Sequence, residues 1–199
     1  MNKKVLFITY YVLILFTVSF VVFNYELKTS LFWFKNGPTI EKGVLDLRSH
    51  NFFTKPIIKV IGETAFYWQK FVAPDSINQH SPDTFINIPG VWNNTIINGH
   101  KIKGAGYATY HFKIVTQGNV PLAIKLKEFD CAYSLFVNGT KIIDVGQPGT
   151  TANTTKNWWG RAEAYFTPVN GVSDIIIQIA NFDHRKGGAE DVMLIGRQS

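Results

Sequence analysis

A single cysteine, Cys131, stands among 199 residues. That excludes an internal disulfide, so stability has to come from packing, and cysteine pairing says nothing of the redox compartment. Cys131 itself reads as a small buried hydrophobe rather than a reactive thiol. Catalytic signatures are missing too: there is no G-x-S-x-G elbow, no H-E-x-x-H pair, no phosphate-cradling glycine loop and no Cys/His ligand cluster. The five histidines, His50, His80, His100, His111 and His184, fall at spacings that match no motif. Asp183 beside His184, and Glu190 beside Asp191, are sequence neighbours that would point to opposite faces of a strand. Glycoside hydrolysis needs two carboxylates facing each other about 5 to 9.5 Å apart, which such neighbours do not supply. The expectation is a protein that is not an enzyme, with no cofactor and no metal.

Clustered charge is lacking as well. Charged residues make up 17% of the chain and the formal net charge is +6. Setting aside Lys3 and Lys4 at the N-terminus leaves +4, and the remaining basic residues are scattered. No Lys/Arg run interleaved with aromatics follows a strand or helix as a phosphate-tracking groove requires, so nucleic acid is not an expected partner. Long apolar runs are absent with one exception. Val5 to Phe23 carries no charge over about 19 residues, enough to cross roughly 30 Å of hydrocarbon as a helix. Val21, Val22, Phe23 and Asn24 offer no small-residue cleavage site, which favours an uncleaved anchor over a signal peptide. Lys3 and Lys4 then keep residues 1–4 in the cytoplasm and place everything after Asn24 on the extracytoplasmic, periplasmic side of a single-pass membrane protein. Residues 24–42 form a juxtamembrane linker, in which Tyr25, Phe32, Trp33 and Phe34 interleave with Lys28 and Lys35. The folded domain is expected over residues 43–199.

What the chain does have is aromatic bulk and alternation. Aromatics are 15% of residues, with 16 Phe, 8 Tyr and 5 Trp, a composition that suits sheets burying large flat side chains. Ala108, Tyr110, Phe112 and Ile114 fall on one face of a strand, with Thr109, His111 and Lys113 on the other. The same period marks Leu122, Ile124 and Leu126, then Tyr133, Leu135 and Val137, then Ile175, Ile177 and Ile179. Further strands are predicted at Val44 to Leu47, Ile57 to Ile61, Thr64 to Trp68, Phe85 to Ile88, Ala162 to Phe166 and Val192 to Ile195. No convincing amphipathic helix appears after Gly43, which disfavours bundles and alternating β-α folds. Asn138-Gly139 between two strand runs predicts a tight type I′ hairpin. Pro89-Gly90 ends a strand before Trp92, and the polar stretch from Gly146 to Gly160 is a long loop ending in Trp158 and Trp159. The expected fold is all-β: an antiparallel β-sandwich.

The ordered runs PGVW, GAGYATYHF, LFVNG, ANF and HRKGG, together with the upstream GVLDLRSHNF, carry a resemblance over residues 43–196. The chain resembles the N-terminal extracytoplasmic domain of bacterial seven-transmembrane receptors with diverse intracellular signalling modules. More distantly it is similar to the sugar-binding domain of β-galactosidase-type and β-glucuronidase-type hydrolases. The resemblance implies a galactose-binding-like jelly roll that takes a carbohydrate or other small polar ligand outside the cell. It also implies an adjoining seven-helix membrane module and a signalling module, neither of which this chain contains. A sensor domain is the leading expectation; a carbohydrate-binding accessory module of a hydrolase, or a protein-contact domain with no small ligand, are the alternatives.

Five residues are the ligand-binding candidates. Trp158 and Trp159 offer faces on which a sugar ring can stack, although one ring of such a tandem ordinarily enters the core. Asn181, His184 and Arg185 follow the last long strand, and their donors can grip a hydroxyl or carboxylate at the sandwich rim. The alternative for Asn181 and Arg185 is that they hold the loop by bonding backbone carbonyls. Trp92 and Tyr110 are expected in the core.

Overall fold

The computed structural model describes residues 10, 12–24 and 37–198. The chain divides into two compact units, Met1–Gly37 and Pro38–Ser199. In the first, residues 12–24 are helical, and the apolar side chains of 12–23 are exposed. Among the described residues no helix is long and apolar enough to cross a membrane. The N-terminal part of the expected span, Val5 to Phe7 included, and most of the expected linker lie outside the described residues.

The second unit is built almost wholly of strands: β1 (Ile40–Glu41), β2 (Val44–Asp46), β3 (Ile57–Val60), β4 (Gly62–Trp68), β5 (Thr84–Ile88), β6 (Ile96–Ile97), β7 (His100–Lys101), β8 (Gly106–Val115), β9 (Leu122–Leu126), β10 (Ala132–Val137), β11 (Thr140–Val145), β12 (Ala162–Phe166), β13 (Val172–Asn181) and β14 (Met193–Arg197). β1 lies inside the stretch read from sequence as linker. An eight-stranded sheet runs β11-β10-β13-β8-β2-β1-β4-β5, a four-stranded sheet runs β12-β9-β14-β3, and β6 and β7 form a small hairpin. The alternating apolar residues meet in one core. Tyr110, Phe112 and Ile114 from β8, Tyr133 and Leu135 from β10, and Ile175, Ile177 and Ile179 from β13 pack with Leu122, Ile124, Leu126 and Ile195 of the smaller sheet.

Two features depart from a purely antiparallel, half-buried sandwich. β4 and β8 pair antiparallel only from Ala65 to Trp68. Where they part, the β1–β2 hairpin enters the fork, so that β2 runs parallel to β8 and Ile40 of β1 pairs parallel with Gly62. Gly62 has φ +130, and a Cβ there would collide with the Ile40 backbone, so only glycine lets the hairpin close in. The second departure is burial. β8 reads as half-buried, yet Ala108 to Phe112 are buried on both faces. The connection from Gln69 to Asp83 lies over the outer face of the larger sheet, where Val72 and Ile77 pack with Ala65, Tyr67 and Ile176. Thr109, polar yet fully buried, is satisfied there: its hydroxyl donates to the Lys70 carbonyl at 2.7 Å and accepts from the Val72 amide at 3.1 Å.

The predicted turn forms as its chemistry requires. Asn138 and Gly139 take φ of 49° and 85° between β10 and β11, the two positive values of a type I′ hairpin.

Candidate binding site at one rim of the sandwich

Strand pairing brings distant stretches to one end of the larger sheet. Asn181 at the end of β13 pairs with Gly106 at the start of β8, Ala132 at the start of β10 pairs with Ala180, and Tyr133 pairs with Val145 at the end of β11. The residues before β10, the loop after β11 and the loop after β13 therefore emerge together.

Asn181 builds the loop after β13. It is fully buried, and its Nδ2 lies 2.8 Å from the Gly104 carbonyl, 2.8 Å from that of His184 and 2.9 Å from that of Lys186. Its Oδ1 accepts from the His184 amide at 3.0 Å. An amide nitrogen has two hydrogens, so three carbonyls share them through at least one three-centre bond. Asn181 is thereby fully engaged inside the protein and sits beneath the rim. Asn93, which no sequence motif singles out as a site residue, completes the clamp: its Nδ2 donates to the Arg185 carbonyl at 3.1 Å and its Oδ1 accepts from the Gly187 amide at 3.0 Å. Trp92 is fully buried, as its motif predicts. Its amide donates to the Gly187 carbonyl at 2.8 Å and its Nε1 to that of Gly104 at 3.0 Å. A side chain at Gly187 would strike the Trp92 ring, which accounts for the first glycine of the Gly-Gly pair.

With its backbone held at so many points, the loop presents His184 and Arg185 outward, both exposed. Arg185 contributes its carbonyl to the clamp; among the described residues its guanidinium has no partner. His184 Nε2 faces Asp130 Oδ2 at 3.8 Å, and Lys186 Nζ lies 3.6 Å from Glu190 Oε1. Donor atoms of Asp130, His184 and Glu190 all lie within 4.8 Å of one another. Cys131, beside them, is buried, and burial pushes its thiol up to about 12, so at neutral pH it stays protonated and inert.

The loop after β11 is tied to the same end. The Asn157 side chain donates to Asp183 Oδ2 at 2.8 Å and accepts from the Ala132 amide at 3.3 Å. Gln147 and Lys156 close the loop with paired backbone bonds, and a capping box at Thr151 and Thr154 stiffens its tip. Trp158 and Trp159 follow. Neither ring enters the core: they are 64% and 63% exposed, against the expectation that one of the pair is internal. The Asn157 side chain ties the segment just before them to Ala132 and Asp183, and both indoles remain mostly exposed.

A cavity of about 430 Å³ lies at the other end of the strands, lined by Arg48, His50, Phe52, Phe53, Gln117 and Arg197 among others. Its polar groups are mostly engaged internally. Arg48 grips Asp46 through two nitrogens, the shorter contact 2.6 Å, and holds that carboxyl down at about 2. Arg197 lies 4.9 Å above the Phe53 ring, and His50 Nε2 bonds the Lys55 carbonyl. The rim keeps its cation and its aromatic faces open, and is the better candidate.

No family model matches the chain, and no curated protein matches it. Solved structures do. The β-glucuronidase of Ruminococcus gnavus in complex with D-glucuronic acid superposes with a TM-score of 0.51 at 12% identity, over 71% of this chain and 29% of that one. The same enzyme with D-glucaro 1,5-lactone gives 0.50 at 12% identity, again over 71% and 29%. A GH2 β-galacturonidase from Eisenbergiella tayi bound to glycerol gives 0.48 at 12% identity, over 73% and 25%. The likeness is one of fold. It agrees with the expected β-sandwich. The chain spans less than a third of the length of these enzymes.

Proposed function

We propose that this chain is a non-catalytic ligand-binding domain, held on the extracytoplasmic side of a bacterial membrane by its N-terminal apolar segment, whose rim takes a carbohydrate or another small polar molecule. The observation that carries this reading is the pairing of two exposed tryptophans with an unpartnered arginine on loops that are otherwise rigidly bonded. Leaving two indoles in water forgoes burial worth about 1.5 to 3 kcal/mol for each large apolar side chain, a cost that binding offsets. Indole faces suit the apolar face of a pyranose, and a guanidinium suits a carboxylate or vicinal hydroxyls. An acidic sugar joins both chemistries, and one solved neighbour holds D-glucuronic acid.

Two settings fit such a domain: the sensor of a membrane receptor, supported by the motif series and the apolar N-terminal run, and an accessory module of a glycoside hydrolase, supported by the fold of the solved neighbours. The coding sequence downstream of Ser199 separates them, a seven-helix module supporting the first and a catalytic domain the second. The binding claim itself is tested by thermal shift and tryptophan fluorescence against D-glucuronate, D-galacturonate, their neutral hexoses and short oligosaccharides. A ligand-dependent rise in melting temperature that Trp158→Ala or Trp159→Ala reduces, and that Arg185→Ala abolishes, is expected. A flat response across the whole panel refutes the carbohydrate assignment and leaves a protein-contact role.

A further inference from the structure

Asp130 lies just before β10, while His184 and Glu190 lie in the loop after β13, so no spacing in the sequence announces their meeting. The fold nonetheless brings one imidazole nitrogen and two carboxylates within 4.8 Å of one another. All three are lone-pair groups. His184 Nδ1 lies 3.1 Å from the Lys186 carbonyl and 3.4 Å from the Lys186 amide. In the tautomer that carries its proton on Nδ1, that nitrogen donates to the Lys186 carbonyl and Nε2 presents its lone pair toward Asp130 Oδ2 at 3.8 Å. No hydrogen bond joins the three among the described residues, and an imidazole nitrogen with two carboxylates at this spacing is a donor set that a cation can draw together. The nearby Lys186 Nζ is 3.6 Å from Glu190 Oε1 and so reaches one of the three only loosely.

We infer that Asp130, His184 and Glu190 form a binding site for a divalent transition metal of the zinc type. Zinc bonds of about 2.0 to 2.2 Å to nitrogen and oxygen in tetrahedral array put ligand atoms about 3.3 to 3.5 Å apart. The observed spacings reach that by contractions of roughly half an ångström to an ångström and a half, within the rotamer freedom of half-exposed side chains. An imidazole held through its other nitrogen by a backbone carbonyl is the usual support of a metal-ligating histidine. The mixed nitrogen and oxygen set favours zinc-type ions over calcium or magnesium, which take oxygen. Three protein ligands leave a fourth position open to water or to a ligand at the rim. Nothing here rests on the carbohydrate assignment, since metal is expected to bind with no sugar present.

The test uses the full chain in mild detergent with any affinity tag removed, titrated at neutral pH with Zn2+ alone and with Ca2+ alone, and followed by calorimetry and by metal analysis after dialysis. One Zn2+ per chain is expected, bound at least tenfold more tightly than Ca2+. Asp130→Asn and His184→Ala each weaken Zn2+ at least tenfold with the thermal unfolding curve retained. Lys186→Ala, which removes the competing cation and no ligand, leaves binding as tight or tighter. His80→Ala, on the separate connection between β4 and β5, changes nothing. Failure to bind Zn2+, binding that survives both ligand substitutions, or equal affinity for Ca2+ overturns the assignment. If one ligand variant fails to fold, the other decides.

Discussion

Asn181→Ala separates the two roles open to that residue. A ligand-gripping asparagine costs binding when truncated and little else; a loop-holding one costs stability. The four bonds of its side chain do not count equally. The Gly104 carbonyl also accepts from Trp92 Nε1, so it keeps a partner. The His184 and Lys186 carbonyls belong to residues that are not fully buried and can turn to water. The His184 amide loses its acceptor. At about 0.5 to 1.5 kcal/mol for each net hydrogen bond, with two amide protons and one accepted bond lost, the cost is about 1.5 to 4.5 kcal/mol. In a folded unit of this size each kcal/mol lowers Tm by roughly 2 to 4 °C, so a fall of about 3 to 18 °C is expected in thermal unfolding monitored by circular dichroism. Asn181→Asp should be worse, because it sets a buried carboxylate among carbonyl oxygens where the amide protons were. A shift below about 2 °C for the alanine variant, or an aspartate variant no worse than alanine, refutes the clamp.

Trp92→Phe removes the indole N–H bonded to the Gly104 carbonyl and part of a fully buried ring; a loss of about 2 to 4 kcal/mol in urea denaturation is expected. Gly104→Ala places a methyl against the Arg185 backbone carbonyl, which cannot swing aside as a side-chain tip would. It should raise hydrogen exchange at residues 184–188 well before it exposes the β8–β13 amides. Asp174 is held below the ordinary carboxylate range chiefly by its 2.9 Å hydrogen bond to His111, with Lys113 adding to the effect. A carboxyl depressed on folding contributes stability above its unfolded value, 3.8, and loses it as pH falls through the folded value. The urea midpoint of the wild type should therefore drop more steeply below about pH 4 than that of Asp174→Asn, and parallel curves would count against the bond.

The alternation of β8, β9, β10 and β13 was legible because side-chain period depends only on the local chain: every second residue turns inward whichever strands flank it. The Asn138-Gly139 turn was legible for the same reason. The double burial of β8 was not, since the cover comes from Gln69 to Asp83, far upstream. Nor was the insertion of β1 and β2 between β4 and β8, which depends on the approach Gly62 permits. At the rim, the sequence pointed to Trp158, Trp159, Asn181, His184 and Arg185 as one group, and the fold divides them. Asn181 faces inward to three carbonyls, while the other four remain at the surface.

Composition and local pattern by themselves determined an all-β sandwich with a tryptophan and a tyrosine in its core, a hairpin at Asn138-Gly139, and a rim rich in polar donors. Tertiary structure alone decided which of those donors are left over. Asn93 and Asn181 are spent on the loop and Arg185 is not, and both tryptophans stay in water. Asp130 reaches His184 and Glu190 only because β10 and β13 are paired neighbours. A side chain's availability depends on what the rest of the chain has already bonded to it, and such long-range pairing leaves no mark on the local run of residues.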